Sequence, residues 1–297
     1  MKCLRLLWVS VFIFSFQFFE NPISRINFEN SFNDSNMEFS SLAMIGNSFI
    51  TATERKGKIY SFKLVNNMLV YDKEFPIPTA GGDGDSQFEA VTTYKNLIIL
   101  SDEKNTRIIG LDSLSNDIKL NFQNNDLFPF EADQFGIEGV AINEKMDMLY
   151  ILKERCPSDS TSVIFGFNFK EIIDNKFDLS FKFKHIIDNK ICNDNNFSPK
   201  ARYSDICFDS TSNYLYAIKS YYSRYSICKF KIDGSSGSIN SGCPIDSNIS
   251  THVSSFNRLE DLYNTNLEGI WIHKDSIYLI SDNGTGKKTL FLKMKKF

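Results

Sequence analysis

Two stretches of this chain share one pattern that decides the fold: IEGVAINEKMDMLYILKER, from Ile137 to Arg155, and LEGIWIHKDSIYLISDN, from Leu267 to Asn283. Each begins with a hydrophobic residue, a glutamate and a glycine, and continues into a short apolar segment. A turn rich in polar residues follows, and a second apolar segment ends in a polar cluster. This order predicts a β-hairpin whose first strand starts beside the glutamate.

Related units begin at Phe39, Phe88 and Tyr203, so the chain carries five copies of the pattern. After each hairpin comes a third segment with period-2 alternation, such as KIYSFKL or TLFLKMK, which is typical of half-buried strands. A fourth strand is expected after the first four units, in the segments MLVYDKEF, DIKLNF, FDLSFKF and GSINSG.

Repeated units of four strands predict an all-β fold, a β-propeller of about five blades. The fifth unit ends at Phe297 after its third strand. The segment SRINFEN, Ser24 to Asn30, is expected to complete that blade, so that an N-terminal strand closes the ring. The later units start further apart, and a sixth degenerate blade hidden in one of these intervals is the alternative count. A β-sandwich explains the shared strand order less well.

The charge balance and the N-terminus restrict the partners and the location. Lys and Arg (33) nearly balance Asp and Glu (36), which argues against a nucleic-acid partner. Lys2 and Arg5 precede an apolar run, which predicts a signal peptide, or an N-terminal anchor, over residues 1–20. The propeller domain is then expected over 24–297. We expect a secreted, periplasmic or cell-surface monomer with no further membrane span, and an unidentified small ligand or protein as partner.

Export would permit disulfide bonds among the cysteines that follow the apolar run. Cys207 lies in a predicted buried strand and is expected to be free. The pairs expected in loops are Cys156–Cys192 and Cys228–Cys243.

Acidic residues recur at the start of the first strand. They are Glu89, Glu138, Asp205 and Glu268, while the first unit has Ser41. Because the innermost strands of a propeller line its channel, these residues are expected to form a ring at one mouth. Confined like charges raise each other's pKa, and a divalent cation relieves that conflict. Oxygen ligands favour Ca²⁺, with Mg²⁺ as the alternative.

A structural role is the alternative for this ring. The carboxylates would then bind water and cap backbone amides, and Gly139 and Gly269 would let neighbouring strands approach closely. Arg202 precedes Asp205, whereas the other three acidic residues have no adjacent basic residue.

A second acidic column lies at the end of the second strand, with Glu54, Asp102, Glu154 and Asp282 in four units and Ser220 in the fourth. The start of one strand and the end of its hairpin partner lie at the same end of a blade. This second ring is therefore expected to surround the first on the same face. The alternative is that its members form ion pairs with basic residues beside them.

The stretches at Ile137 and Leu267 resemble the SdiA-regulated, YjiK-like propeller family, which is grouped with phytase-like and esterase-like propellers. The resemblance rests on the hydrophobic-Glu-Gly-hydrophobic starts and the following strand with Leu-Tyr or Ile-Tyr. It covers most of residues 39–297, although the first and fourth units depart from the pattern, with Ser41 and YSD in place of the Glu-Gly pair. It implies an exported propeller, often with calcium in the channel, and many such proteins have no established activity.

Three possible functions follow. The first is a binding module whose acidic face, organised by a cation, holds a ligand or partner. The alternative is a metal-dependent phosphoesterase or esterase of phytase-like type, with Asp102 or Glu154 as general base and Lys153, Arg155 or Lys219 holding an anionic group. A structural metal, with function on the inserted loops, is a third. The chain lacks a compact set of nucleophile, base and orienting group, so the sequence favours the binding module.

Overall fold

The structure is a computed structural model, and it describes residues 23–32, 37–54, 56–78, 86–112, 117–123, 136–154, 161–173, 176–188, 201–221, 224–242, 244–250, 266–282 and 287–297. Within these ranges the chain forms twenty β-strands. The predicted all-β class is therefore confirmed.

The strands form five blades of four, with the innermost strand first in each description below. Blade 1 contains β2 (Ala43–Ile45), β3 (Ser48–Ala52), β4 (Lys58–Val65) and β5 (Met68–Pro76). Blade 2 contains β6 (Phe88–Tyr94), β7 (Leu97–Asp102), β8 (Arg107–Leu111) and β9 (Asp117–Gln123). Blade 3 contains β10 (Ile137–Asn143), β11 (Met148–Lys153), β12 (Thr161–Ile173) and β13 (Lys176–Asp188). Blade 4 contains β14 (Arg202–Asp209), β15 (Tyr214–Tyr221), β16 (Arg224–Lys231) and β17 (Ile245–Asn248). Blade 5 contains β18 (Asn266–His273), β19 (Ser276–Asp282), β20 (Phe291–Lys295) and the N-terminal strand β1 (Ile23–Phe28).

The innermost strands meet around a central channel. Contacts run from β2 to β6, β10, β14 and β18 in turn, and then from β18 back to β2. Because this circuit is closed, the described strands make a five-bladed propeller, and the five-blade count is confirmed.

Strand β1 closes the ring as predicted. It pairs antiparallel with β20, from Ile23 opposite Met294 to Ile26 opposite Phe291. Its end then pairs in parallel with β5 of blade 1, and β9 of blade 2 pairs in the same way with β13 of blade 3. Pairing between outer strands removes exposed sheet edges at those blades.

The fourth strand of blade 4 is not the predicted GSINSG segment. In that segment only Ile239 makes a bridge, to Ile232, and the strand that completes the blade is β17. Gly237 and Gly242 both have positive φ angles, of 72° and 123°. A backbone with left-handed residues at both ends forms a turn rather than an extended strand.

Hydrophobic side chains pack between neighbouring blades. One cluster joins blades 2 and 3, where the rings of Phe169 and Phe177 stack with centroids 4.5 Å apart. Another cluster joins blades 5 and 1, where Phe28 contacts Phe39 and Phe62. Large aromatic side chains therefore fill the space between these neighbouring blades.

Cys207 and Cys228 are both buried and free. The prediction of a free Cys207 is confirmed, and the Cys228–Cys243 pair is wrong, because Cys228 lies in the middle of β16 within the core cluster between blades 3 and 4. The N-terminal segment 1–20 and the Cys156–Cys192 pair lie outside the described residues. In the part that is described, no helix has the length and apolar character needed to cross a membrane.

Candidate functional site

Four of the innermost strands have a β-bulge near their first residue, and these bulges determine where the first acidic column lies. The pairing register with the second strand shifts by one residue at Glu89, Glu138, Ser204 and Glu268. A bulged residue leaves the regular ladder, and its side chain is directed differently from those of the strand. The bulges thus place three glutamates at the same level of the channel.

In blade 4 the bulged residue is Ser204, and Asp205 lies one position further along. The Oδ1 atom of Asp205 accepts a hydrogen bond from the Ile206 N–H at 2.8 Å. Its Oδ2 atom accepts another from the Ile270 N–H of blade 5 at 2.9 Å. Burial raises the pKa of Asp205 well above its usual range, although these two bonds lower it. The carboxyl of Asp205 therefore ties blade 4 to blade 5 through backbone amides.

Two serines provide similar ties between blades. The Ser204 hydroxyl donates to the Leu267 carbonyl at 2.9 Å, and the Ser40 hydroxyl donates to the Phe88 carbonyl. The channel mouth thus carries carboxylates on blades 2, 3 and 5, and hydroxyls on blades 1 and 4.

The glycines that follow two of the glutamates have the packing role suggested by the sequence. A Cβ on Gly139 would lie 2.9 Å from the backbone nitrogen of Ile206 in blade 4. A Cβ on Gly269 would lie 2.6 Å from the backbone carbon of Ser41 in blade 1. Neighbouring blades can approach this closely only because these positions lack a side chain.

The second acidic column has a member that the sequence alignment missed. The N–H groups of Glu54, Glu103 and Glu154 donate to the backbone carbonyl of the residue that directly precedes their own unit, at 2.9, 2.7 and 3.2 Å. The equivalent residue in blade 2 is therefore Glu103, which directly follows Asp102. The number of residues between the first and second acidic columns varies from unit to unit. Because Asp102 and Glu103 are adjacent and both acidic, the sequence does not show which of them belongs to the second column.

Asp102 makes local contacts instead. Its Oδ2 atom accepts a hydrogen bond from Arg107 Nε at 2.8 Å, and its Oδ1 atom accepts one from the Gln87 N–H at 3.0 Å. Burial raises the pKa of Asp102, but the hydrogen bonds from Gln87, Asn105 and Arg107 outweigh burial and lower it overall.

Arg202 joins the two acidic columns across three blades. Its guanidinium donates to Glu154 of blade 3 at 2.8 Å and to Glu268 of blade 5 at 3.0 Å. It also donates to Asn266 at 3.0 Å, and the Asn266 amide donates in turn to Glu268. The side chain of Arg202 is 32% exposed, whereas those of Glu154 and Glu268 are 4% and 9% exposed. One cation therefore compensates two buried carboxylates.

Glu268 remains a weak acid despite that contact. Burial raises its pKa to about 7, the Arg202 charge lowers it, and the nearby Asp282 and Glu154 raise it. Near neutral pH, Glu268 therefore exchanges a proton with solvent.

Glu89 and Glu138 have no ion pair with any described residue. Burial raises the pKa of Glu138 well above its usual range, and the charges of Glu89 and Glu154 raise it further. Burial likewise raises the pKa of Glu89, together with the charges of Glu54 and Glu103. Two such carboxyls on adjacent blades cannot both ionise without a strong cost, unless a cation lies between them.

The basic residues considered for anion binding are placed differently. Lys219 is fully buried, and its Nζ atom lies 3.0 Å from Asp246 on the outer strand β17. Lys153 is buried and lies opposite Ile137, the first residue of β10, in the strand pairing. Arg155 lies outside the described residues. Arg202, in contrast, is partly exposed and contacts both Glu154 and Glu268.

The donor set suits a hydrated cation better than an all-protein cage. Among the residues that the structure describes, no three His, Cys, Asp or Glu side chains stand close enough to hold a metal ion together. Glu89 and Glu138, which have no ion pair with a described residue, are the candidate carboxylate ligands. Cations that retain several water molecules, Mg²⁺ above all, bind through one or two carboxylates, and Ca²⁺ also accepts water in its coordination shell.

Residues 77–220 match the model of the SdiA-regulated family. The resemblance to that family is confirmed. The matched SdiA-regulated region starts just before blade 2 and ends in β15, so it contains Glu89, Glu138, Glu154 and Arg202. No curated protein matches the chain.

Solved structures with a similar course of the chain are distant in sequence. The PQQ-bound aldose sugar dehydrogenase of Streptomyces coelicolor is 10% identical, with a TM-score of 0.47 over 92% of this chain and 97% of that one. A putative oxidoreductase (glucose dehydrogenase) of Thermus thermophilus is 9% identical, with a TM-score of 0.43 over 92% and 99%. The periplasmic gluconolactonase of Pseudomonas aeruginosa is 10% identical, with a TM-score of 0.41 over 84% and 68%.

Proposed function

We propose that this propeller is a binding module that holds a divalent cation at the acidic mouth of its channel. The cation would bind between Glu89 and Glu138, and its remaining coordination positions would take oxygen atoms of a small ligand or of a protein partner. Ca²⁺ is the proposed cation, and Mg²⁺ is the second candidate. The N-terminal apolar segment supports a location outside the cytoplasm, as a secreted, periplasmic or cell-surface protein.

The pair Glu89 and Glu138 carries this proposal. Both glutamates lie on bulges of adjacent innermost strands, and the charge of Glu89 raises the pKa of Glu138. Their neighbour Glu268 already has an ion pair with Arg202, whereas they have none with the described residues. A divalent cation removes their mutual repulsion and offsets the cost of burying them.

Arg202 would orient an anionic ligand beside the cation. About a third of its side chain is exposed, and two buried carboxylates hold its guanidinium in place. A guanidinium fixed in this way presents its remaining N–H groups in one plane, which suits carboxylate or phosphate groups. The ligand class that fits the mouth is therefore an anion that binds the cation and Arg202 together.

The metal-dependent phosphoesterase is the less well supported function. A general base needs a carboxylate that is free to accept a proton from water. Asp102 is engaged by Arg107, and Glu154 by Arg202. With both candidate bases occupied by arginines, the contacts support binding rather than hydrolysis.

Thermal unfolding of the full chain in EDTA and in a Ca²⁺ series tests the proposal. A ligand at 100 times its Kd stabilises the native state by about 2.7 kcal/mol, which corresponds to a rise in Tm of roughly 5 °C for a domain of this size. We expect this rise for the wild type and less than half of it for Glu138→Gln. The exposed glutamate of the Lys58–Glu74 pair provides the control, and Glu74→Gln should keep the full response.

The proposal fails if Ca²⁺, Mg²⁺ and Mn²⁺ all leave the Tm of the wild type unchanged. It also fails if Glu138→Gln and Glu74→Gln respond alike, because the cation would then bind elsewhere. A Ca²⁺-dependent phosphatase activity that Glu154→Gln abolishes would support the phosphoesterase instead.

A further inference from the structure

A cavity of about 400 Å³ lies at the other end of the central channel. It is lined by the last residues of β6, β10, β14 and β18 and by the turns that follow them. On β18, the cavity residue His273 follows Glu268 by five positions, which is roughly 17 Å of extended strand. The cavity is therefore separate from the acidic mouth.

One side of this cavity is apolar and aromatic. Trp271 and Phe208, both partly buried, line it together with Ile142 and Ile272. Small-molecule sites combine apolar and aromatic walls with a small number of placed polar groups. The walls of this cavity therefore suit a ligand with an apolar body.

Several polar groups of the rim already have partners. The Lys145 Nζ atom donates to the Ser210 carbonyl at 2.8 Å, and the Glu144 carboxylate accepts from the Lys95 N–H at 3.1 Å. Asp209 pairs with Lys296 at 2.9 Å. The Asp209 carboxylate is therefore compensated by Lys296.

Three polar side chains of the cavity have no hydrogen bond or ion pair with the rest of the described chain. Thr92 is only 3% exposed, yet its hydroxyl has no partner there. Lys274, which is exposed, adds a positive charge to the rim and has no ion pair with a described residue. Burial, and then the Lys274 charge, lower the pKa of His273. Polar groups without a protein partner in the wall of a cavity are available to fix the orientation of a ligand.

We propose that this cavity binds a small monocarboxylate with an apolar body and a polar substituent at its far end. The carboxylate would take the Lys274 ammonium and the His273 imidazole as partners. The apolar body would lie against Trp271 and Phe208. The far substituent would form a hydrogen bond with the Thr92 hydroxyl, on the blade across the channel.

Tryptophan fluorescence of the full chain tests this site, because the sequence has only two tryptophans, Trp8 and Trp271. In the Trp8→Phe chain, all of the tryptophan signal comes from the cavity wall. The probe is trans-4-hydroxycyclohexanecarboxylate, which does not absorb in the tryptophan range, and its carboxamide is the neutral comparison. We expect a saturable change with the carboxylate and an affinity at least ten times lower for the carboxamide.

Two turn lysines provide a matched pair of variants. Lys274 and Lys95 both follow an innermost strand and both have a φ of 54°. Lys95 pairs with Glu171 and does not line the cavity. Lys274→Gln should weaken binding of the probe about tenfold, and Lys95→Gln should leave it unchanged. Thr92→Val should weaken binding of the hydroxylated probe but not that of cyclohexanecarboxylate.

The inference is overturned if the Trp8→Phe chain shows no saturable change while its Tm is unaltered. It is also overturned if the carboxamide binds as tightly as the carboxylate, or if the two lysine variants behave alike. All titrations are made in EDTA, so that binding here does not depend on a cation at the acidic mouth.

Discussion

At the scale of single residues, the carboxylates of the acidic mouth differ in whether a positive charge lies beside them. Glu154 and Glu268 share Arg202, whereas burial and repulsion between carboxylates dominate at Glu89 and Glu138. The sequence predicted three of these glutamates as a ring. It could not predict the compensation, because Arg202 reaches residues 48 and 66 positions away.

Ionisation of Glu268 should make stability depend on pH. Its folded-state pKa of about 7 lies above the usual value of 4.5, so the folded state binds more protons between these two values. The free energy of unfolding should therefore fall as the pH rises through that window. In EDTA, we expect the Tm of the wild type to fall more steeply between pH 5 and 7.5 than that of Glu268→Gln.

The lowered pKa values of His185 and His273 act in the opposite direction in the same range. Both histidines are present in wild type and variant, so the difference between the two curves isolates the glutamate. Parallel curves would show that Glu268 titrates as an ordinary surface glutamate.

Removal of Arg202 should be strongly destabilising. Arg202→Met leaves Glu154 and Glu268 buried without their cation, and breaking a buried ion pair costs about 3 kcal/mol or more. Lys58→Met, at an exposed pair, should cost under about 1 kcal/mol. Urea denaturation at pH 8 measures both.

Adding Glu268→Gln to Arg202→Met should restore part of the lost stability, because it removes one of the two uncompensated charges. If the double variant is less stable than Arg202→Met alone, repulsion between the carboxylates is not the cause of the loss.

At the scale of strands, the β-bulges place the glutamates of the first acidic column at the mouth of the channel. The alternation of apolar and polar residues predicted the hairpins, but it cannot show a register shift, because a bulge adds a residue without changing the surrounding pattern. The one-residue error at Asp205 follows from this, whereas the one at Asp102 arises because the separation between the two acidic columns varies. Asp205 was aligned where Ser204 lies, and Asp102 where Glu103 lies, and in both cases the neighbouring residue is also polar.

Gly269 should not tolerate a side chain. A Cβ there would lie within 2.7 Å of backbone atoms of Ser41 and Leu42 and cannot be accommodated by a side-chain rotation. Gly269→Ala should lower the free energy of unfolding by about 1–3 kcal/mol. Gly234→Ala is the matched control, since its Cβ would come no closer than 3.9 Å to its nearest neighbour, and it should change stability by less than about 0.5 kcal/mol. Equal effects of the two substitutions, measured by urea denaturation, would argue against close contact between blades 5 and 1.

At the scale of the whole molecule, ring closure joins the two ends of the described chain. Repeated units and an unfinished fifth unit predicted this closure, and the pairing of β1 with β20 confirms it. What the sequence could not predict is how the outer strands join neighbouring blades, since the alternation that predicts β9 and β13 as strands does not show that they pair with each other in parallel.

Closure should make the N-terminal strand essential for stability. Ile26 is 1% exposed and lies opposite Phe291 in the last blade. Ile26→Ala should cost about 2–5 kcal/mol and speed hydrogen exchange of the β20 amides. Ile186→Ala, at a residue that is 55% exposed, is the control and should have little effect. Unchanged exchange of β20 in Ile26→Ala would mean that blade 5 is stable without its N-terminal strand.

The most direct test of the account is a double-mutant cycle of Glu89→Gln and Glu138→Gln, with Tm measured at pH 8 in EDTA and in 1 mM Ca²⁺. In EDTA, each single substitution should raise the Tm, because it removes the repulsion between the two carboxyls. In Ca²⁺, the wild type should gain the most, the single variants less than half as much, and the double variant nothing. Equal gains for all four proteins, or no gain for any of them, would contradict a cation site between Glu89 and Glu138.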